Sequence, residues 1–386
     1  MMNVRRLFVI LFIAIFASLV FASVQGTIAS IGSTGDVLTD IPLGVLERNS
    51  IEEGDMLRVE LAEVAIVIPF VRRDTDVPVG TPLARASSGF LLLARSSTSF
   101  AERYGADVGS SVVISIVSKG SYIGRIGIGE LERTDDRADY DSDEAFANFR
   151  EVAIGNISHS KLFRTSHPAL DSSRSSYAGQ LTEEAGVQSI INLSDSDEDL
   201  ARAYQINSYY RALGDEGGVV SVFMDESLLL AKTIPDGVSL SSLPDLDESS
   251  FAVMSLISDA LLSDVIPPRL REGLLFMIEK DPPFLVHCVD GKDRTGLTIA
   301  LLAAIMDATV DEILDDYAQS FVSFYHVVPG SHVHQEFRDI MADMLTRLNS
   351  GIPIDNSNVK NTAMRYLVDQ VGLTLEQIGA LQNKLR

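Results

Sequence analysis

The sequence predicts an α/β domain preceded by a small all-β domain, a barrel or a sandwich. Two patterns predict this order of domains. Residues 23–130 contain short apolar runs separated by glycines, whereas strand-like and helical patterns alternate from residue 145 onward, as in a sheet with helices on both faces. The strongly acidic stretch between them, residues 131–144, marks the boundary. A length of 386 residues also suits two domains.

Residues 1–22 have the pattern of a signal peptide or a membrane anchor. Arg5 and Arg6 are followed by an uncharged apolar run over residues 7–24, with small residues near Ala22. As a helix this run reaches about 27 Å, slightly less than the ~30 Å hydrocarbon core of a bilayer. Cleavage and membrane anchoring through residues 7–24 therefore both stay open. Either interpretation predicts an exported protein, located in the periplasm, in the cell envelope or outside the cell.

The charge and the cysteine content exclude several classes of protein. The chain has 54 acidic against 31 basic residues and a net charge of -23, which argues against nucleic-acid binding and against charge-driven docking on anionic membranes. Cys288 is the one cysteine, so an intramolecular disulfide and a cysteine-based zinc site are excluded. We expect no metal site and no cofactor.

The all-β domain, residues 23–130, is predicted from apolar runs with glycines between them. The predicted strands are residues 57–61, 64–70, 90–94, 112–117 and 122–128. The proline- and glycine-rich stretch over residues 68–84, followed by Ser-Ser-Gly at 87–89 and Ala-Glu-Arg-Tyr-Gly at 101–105, is similar to the carboxy-terminal β-domain of S-adenosylmethionine hydroxide adenosyltransferases. In that family the ligand also contacts a preceding α/β domain, which we do not recognise before residue 54. Ala86 stands where the family has asparagine. We therefore expect a reused scaffold for interaction with a protein partner, with binding of an adenosyl ligand by residues 54–117 as the alternative.

Residues 131–144 are predicted to be an acidic linker. The stretch from Glu130 to Glu144 contains eight acidic residues, two arginines and no glycine. Such a segment repels itself and is solvated, so we expect an extended and fairly stiff joint.

The α/β domain, residues 145–386, is predicted from alternating patterns. Strands are expected at residues 188–193, 219–224 and 284–287, and helices at 200–204, 251–262, 270–278, 295–306 and 333–348. Two capping boxes, Thr309 with Glu312 and Thr374 with Gln377, predict further helix starts. Residues 214–250 have little regular pattern apart from one strand, and we expect loops over the site there.

The candidate site is the loop that follows the strand at residues 284–287. Cys288 begins this loop, Arg294 lies six positions later, and an apolar helix follows. Backbone N–H groups and the positive end of a helix dipole form a cradle for phosphate oxygens and favour a thiolate. Cys288 is therefore predicted to be the nucleophile and Arg294 the bidentate phosphate clamp. The backbone N–H groups expected to bind phosphate belong to Val289, Asp290, Gly291, Lys292, Asp293 and Arg294.

The string from His287 to Gly296 resembles the loop His-Cys-x-x-Gly-Lys-Asp-Arg-Thr-Gly of bacterial tyrosine and phosphoinositide phosphatases. Residues 148–152 and 161–166 resemble the two upstream motifs of that family. The resemblance implies a cysteine-dependent phosphatase domain and metal-free hydrolysis of phosphomonoesters, first of all as a protein tyrosine phosphatase. A phosphoinositide phosphatase is the alternative, as is a phosphate-binding pseudoenzyme whose β-domain recruits a partner.

Other residues take roles from their position and from the resemblance. Thr295 can donate its hydroxyl to the sulfur, and His287 is expected to order the loop. The general acid is Asp293 by resemblance, or Asp225, which follows the predicted strand at 219–224; we favour Asp293. Arg164 is a candidate for contact with substrate or with the linker.

Two loop residues bear on the substrate. Lys292 adds a positive charge that suits inositol rings with several phosphates, whereas Asp290 departs from the family and should oppose polyanions. Together with the net charge, this favours a small phosphate ester or a phosphotyrosine peptide, with phosphoinositides second.

Overall fold

The computed structural model of the chain describes residues 23–61, 64–224 and 250–386. The predicted signal or anchor, residues 1–22, lies outside these residues, as do Asp225 and most of the expected loop region. Val24, the last residue of the apolar run, belongs to the first strand of the amino-terminal domain.

The amino-terminal domain is a closed seven-stranded β-barrel, which confirms the all-β prediction and selects the barrel. Its strands follow the order β1-β2-β6-β5-β4-β3-β7 around the barrel. Leu57, Val59 and Leu61 alternate into the core, as a half-buried strand requires. The strands are β1 (Val24–Ile31), β2 (Val37–Pro42), β3 (Met56–Leu61), β4 (Val64–Val71), β5 (Pro82–Ser87), β6 (Phe90–Arg95) and β7 (Ser111–Ser118), with short helices α1 (Leu43–Arg48) and α2 (Phe100–Tyr104).

The predicted strand at residues 122–128 is wrong, because this segment forms helix α3 (Ile123–Ile128). Its three isoleucines, a residue type enriched in strands, account for the prediction. Gly124 permits a close approach to the helix His332–Leu348: a Cβ at Gly124 would lie 2.6 Å from the carbonyl oxygen of His332. Arg125 pairs with Glu336 of the same helix at 2.6 Å. Tertiary packing between the two domains therefore decides this element.

The acidic segment 131–144 folds onto the α/β domain and does not extend through solvent as expected. It contains a 3-10 turn, Arg137–Asp139, and leads into helix α4 (Asp143–Ala147). Tyr140 is buried, with its hydroxyl 3.2 Å from the carbonyl oxygen of Phe324. Arg133 and Arg137 form ion pairs with Asp135 and Asp143 of the same segment, which offsets part of the repulsion between its carboxylates.

The α/β domain has a five-stranded sheet in the order β11-β10-β12-β9-β8. β12 pairs in parallel with β10 and β9, so it is a central strand, and its four residues are all buried. Among the described strands of this sheet, only β8 runs antiparallel to its neighbour. The strands are β8 (Arg150–Glu151), β9 (Leu162–Thr165), β10 (Ser189–Asn192), β11 (Val219–Ser221) and β12 (Phe284–His287).

Helices cover this sheet largely where helical periodicity predicts them. Both capping boxes, at Thr309 and Thr374, are formed. The helices are α5 (Ser173–Glu184), α6 (Asp197–Ile206), α7 (Ser208–Asp215), α8 (Phe251–Leu261), α9 (Ile266–Glu279), α10 (Asp293–Ile305), α11 (Val310–Tyr325), α12 (His332–Leu348), α13 (Val359–Asp369) and α14 (Leu375–Leu385).

Within the described ranges, no single helix has the length and apolar composition needed to cross a membrane. The pair α8 and α9 meets that test only when the two are taken together, with a bend of 69° between them.

Candidate active site

The candidate site lies where the central strand β12 leads into helix α10. Cys288 follows β12 directly and is 3% exposed. The first N–H groups of a helix have no intrahelical partner, so those at the start of α10 point into the loop. Gly291 has φ of +70°, and a Cβ there would lie 2.1 Å from the carbonyl oxygen of Thr165. Glycine is therefore required for the loop to turn against the end of β9.

His287 is fully buried and bonded on both ring nitrogens. Nδ1 lies 3.1 Å from the carbonyl oxygen of Cys288, and Nε2 lies 3.1 Å from the hydroxyl of Tyr210. Because a carbonyl only accepts, Nδ1 carries the proton and Nε2 accepts from Tyr210, whose oxygen accepts from Asn192 at 2.9 Å. Burial, followed by the neighbouring His167, lowers the pKa of His287 to about 3. The neutral ring fits the predicted loop-ordering role.

Arg164 does not reach substrate or the linker, contrary to expectation. It is fully buried behind the loop. Its guanidinium forms an ion pair with Asp316 and donates to the carbonyl oxygens of Gly291 at 2.6 Å and Lys292 at 3.3 Å. A buried cation needs such a fixed set of acceptors, and these acceptors fix the loop in turn.

Asn148 and Arg150 also support the loop, and neither was assigned a role from the sequence. Asn148 Nδ2 donates to the carbonyl oxygen of Asp290 at 3.0 Å. Arg150 pairs with Asp316 at 3.0 Å and donates to Asn148 Oδ1 at 2.7 Å. Burial, together with the nearby Arg164, lowers the pKa of Arg150 to about 10. The sequence signal for these two residues was the resemblance of residues 148–152 to an upstream motif of the phosphatase family, which did not show that they bind the loop.

The charge of Asp290 is compensated, which corrects the expectation that it opposes polyanions. Its carboxylate lies 3.1 Å from Lys292 Nζ and 3.2 Å from Arg133 Nη1. Burial acts to raise the pKa of Asp290, but Lys292 and Arg133 outweigh it and lower that pKa.

Lys292 does not present a free charge to substrate. Its Nζ is buried 3.0 Å from the hydroxyl of Tyr325. Burial opposes the ammonium charge, but Asp290 and then Asp293 raise the pKa of Lys292 well above its ordinary value. The charges of Lys292 and Asp290 largely cancel. The paired charges therefore do not support the predicted preference for singly phosphorylated substrates over polyanions.

Three predicted residues lie on the first turn of α10. Burial, the largest cause, raises the pKa of Asp293, and the hydroxyl of Tyr317 lies 3.4 Å from its carboxylate. Thr295 Oγ1 is buried without a hydrogen-bond partner among the described residues. Arg294 Nη1 donates to the carbonyl oxygen of Met224 at 3.1 Å. Asp225, the other predicted acid, lies outside the described residues.

His167 and Asp195 form a buried pair beneath the loop that the sequence did not reveal. His167 Nε2 lies 2.9 Å from the Asp195 carboxylate, while its backbone N–H donates to the carbonyl oxygen of Val289 at 2.8 Å. Burial acts to raise the pKa of Asp195, but the bond from His167 outweighs it and that pKa falls to about 2. Residues 28 positions apart gave no local signal of this contact.

A buried thiol in the loop between a central parallel strand and a helix, with arginine six positions later, is the arrangement of a cysteine-dependent phosphatase. Residues 144–386 match the Tyrosine phosphatase family, and the chain belongs to that family. Within the described residues, no group of three or more histidine, cysteine or acidic side chains could hold a metal ion.

Similarity to individual proteins is more limited. A stretch of 55 residues is 34% identical to inositol diphosphatase DSP2 of Arabidopsis thaliana, over 14% of this chain and 21% of that protein. The chain thus spans about a fifth of this curated relative. The core catalytic domain of the PP-IP phosphatase SIW14 from S. cerevisiae, solved with citrate, is 18% identical over 53% of this chain and 99% of that domain, with a TM-score of 0.22. An uncharacterized conserved protein from Thermotoga maritima is 24% identical over 24% of this chain and 36% of that chain, with a TM-score of 0.24.

Proposed function

We propose that the chain hydrolyses phosphomonoesters through a cysteinyl-phosphate on Cys288. The observation that carries this proposal is the position of the Cys288 thiol, directly after β12 in the loop that leads into α10, where the buried Arg164 bonds the loop backbone. A site preorganised in this way binds and stabilises the charge that develops on a transferring phosphoryl group.

The reaction has two steps. Backbone N–H groups of residues 289–294 and the Arg294 guanidinium bind the phosphoryl oxygens, and Cys288 Sγ attacks phosphorus as the ester P–O bond breaks. A carboxylic acid gives its proton to the leaving oxygen. In the second step water attacks phosphorus as the S–P bond breaks, the carboxylate left by the first step takes a proton from the water, and Cys288 leaves as a thiolate. The Thr295 hydroxyl, which has no other partner among the described residues, donates to the departing sulfur.

Asp293 is our choice for the general acid. Its raised pKa keeps a larger fraction of the carboxyl protonated near neutral pH, as proton donation requires. Asp225 is the second candidate, because it follows Met224, whose carbonyl oxygen binds Arg294.

Phosphotyrosine peptides are the proposed substrate class. Val289, next to Cys288, is 44% exposed, so an aromatic ring held by its phosphate would meet an apolar side chain. Phosphorylated inositols are the second candidate. They are favoured by the pairing of Asp290 with Arg133 and Lys292, which removes the charge expected to repel polyanions, and by the name of the Arabidopsis relative.

We also propose that the protein is exported, on the pattern of residues 1–22, and that the β-barrel recruits a protein partner. The resemblance of the barrel to the adenosyltransferase β-domain supports a reused scaffold. Heat of binding from adenosine or S-adenosylmethionine would argue against that role.

The direct test is hydrolysis of para-nitrophenyl phosphate in the presence of a chelator. We expect turnover by the wild type, no turnover by Cys288→Ser and strongly reduced turnover by Arg294→Lys. Arg58→Gln, which alters an exposed pair on the barrel, is the control and should match the wild type. Activity retained by Cys288→Ser would contradict the mechanism. Vanadate binding without turnover at any pH would instead support the pseudoenzyme.

Substrate class is tested with a panel that compares phosphotyrosine peptides with inositol phosphates and phosphoinositide vesicles. We expect the highest kcat/KM with the peptides. A higher value with inositol substrates would favour the second candidate.

A further inference from the structure

We propose that Arg133, in the segment that joins the barrel to the α/β domain, is a positioning residue for the catalytic loop. It holds Asp290 and offsets the negative charge of that residue, so that the loop can capture a phosphate dianion. This inference rests on the proposed function, because the loop in question is the one that begins with Cys288.

Arg133 belongs to the loop by contact, although it lies 157 positions from Asp290 in the sequence. Its Nη1 is 3.2 Å from Asp290 Oδ1, and Lys292 Nζ is 3.1 Å from Oδ2. The Asp290 side chain is 15% exposed. One carboxylate, two residues from Cys288, is thus held between two cations in a poorly solvated place.

The Phe324 ring packs against the Arg133 guanidinium. Its central carbon lies 4.8 Å from the centroid of the Phe324 ring, a distance typical of cation–π contact. Arg174 lies 4.4 Å from the same centroid. Phe324 belongs to α11, so the arginine is held by a helix of the α/β domain.

The chain around Arg133 is tied down as firmly as its side chain. The carbonyl oxygen of Thr134 accepts from the Tyr140 hydroxyl at 2.8 Å and from Arg174 Nη2 at 2.9 Å. These bonds place the backbone next to Arg133 against buried residues of the α/β domain, which limits how far the guanidinium can move from Asp290.

The same segment connects the catalytic loop to the barrel. Ile128 is part of the main core of the α/β domain, and Glu130 forms an ion pair with Arg72, which follows β4. Only a few residues therefore separate a contact with the barrel from a contact with the loop.

Loss of Arg133 leaves Lys292 as the one cation in an ion pair with Asp290 among the described residues, while Arg174 acts on Asp290 without such a pair. With this adjacent cation gone, the charge of Asp290 is less fully compensated and opposes a phosphate dianion more strongly. We expect Arg133→Gln to weaken phosphate capture roughly twofold to fivefold, the size typical of a partly exposed charge pair. KM should rise while kcat changes little, because the reacting groups stay in place.

A double-mutant cycle in the full chain tests this inference. The dissociation constant of vanadate and the KM for para-nitrophenyl phosphate are measured for Arg133→Gln, Asp290→Asn and the double variant. We expect Arg133→Gln to weaken vanadate binding in the wild-type background and to have little effect in the Asp290→Asn background. Arg133→Lys should restore most of the loss, since it keeps the charge. Arg137→Gln is the matched control, because Arg137 pairs with Asp143 in the same segment and does not contact the loop.

An equal loss in both backgrounds, no loss in either, or the same loss with Arg137→Gln would each overturn the role of Arg133. Vanadate binding does not require turnover, so the cycle is informative even for an inactive protein. A wild type that binds vanadate without hydrolysing para-nitrophenyl phosphate would overturn the proposed function alone. A wild type that fails to bind vanadate would overturn both.

Discussion

Replacing Arg164 with glutamine removes the buried cation that joins the catalytic loop to helix α11. In the native protein the Arg164 guanidinium pairs with Asp316 and donates to the carbonyl oxygens of Gly291 and Lys292 and to Ser320 Oγ. Glutamine is shorter, carries no charge and cannot satisfy these acceptors together.

The loss of these contacts should lower the free energy of unfolding. Removing one partner of a buried ion pair destabilises a protein by about 3–5 kcal/mol. Asp316 retains Arg150 as a partner, which places the loss at the lower end. We therefore expect the free energy of unfolding to fall by about 3 kcal/mol. Because Arg164 holds the loop and does not bind substrate, kcat should fall about tenfold or more as the loop loses its geometry.

Urea denaturation measures the free energy of unfolding. Turnover of para-nitrophenyl phosphate in buffer without urea measures kcat. Arg58→Gln, at an exposed pair on the barrel, is the control and should cost no more than about 1 kcal/mol. An Arg164→Gln protein with native stability and native kcat but a raised KM would refute this reasoning. That result would indicate that Arg164 contacts the substrate, as the sequence suggested.

Three further predictions concern charge and protons. Asp293→Asn should lower kcat about 100-fold for phenyl phosphate but much less for para-nitrophenyl phosphate, whose leaving group needs less help from an acid; equal losses would argue against Asp293 as the acid. His287 stays neutral when folded, with a pKa of about 3, so only the unfolded chain takes up its proton as pH falls below about 6.5. The free energy of unfolding should therefore decrease as the pH is lowered from about 6.5 to about 3, by up to about 1.4 kcal/mol per pH unit. This slope should be smaller in His287→Asn; an unchanged slope would mean that other groups cause it. Given the net charge of -23, modest salt should raise kcat/KM, and a fall would mean that the loop outweighs the overall field.

The strand, loop and helix around Cys288 could be predicted because their signals are local. Two of these signals are the apolar run before the cysteine and the glycine in the loop. The starts of α11 and α14 could be predicted for the same reason, because the capping boxes at Thr309 and Thr374 also depend on residues close in sequence. The strand predicted at residues 122–128 is wrong because packing of Gly124 against α12 decided its conformation.

The support of the loop could not be predicted, because its contacts join residues far apart in sequence. Asp290 was expected to repel polyanions, yet its partner Arg133 lies 157 positions away in a segment that looked like a linker. Arg150 and Arg164 meet Asp316 across 166 and 152 positions. Charge at a site depends on such partners, which only the three-dimensional arrangement brings together.

The most direct test of the central claim is rapid quenching of the enzyme during turnover of para-nitrophenyl phosphate, followed by mass analysis of the peptide that contains Cys288. The proposed mechanism predicts one phosphoryl group on that peptide, linked through sulfur, and none in Cys288→Ser. Turnover without this adduct, or an adduct on another residue, would contradict the claim that Cys288 is the nucleophile.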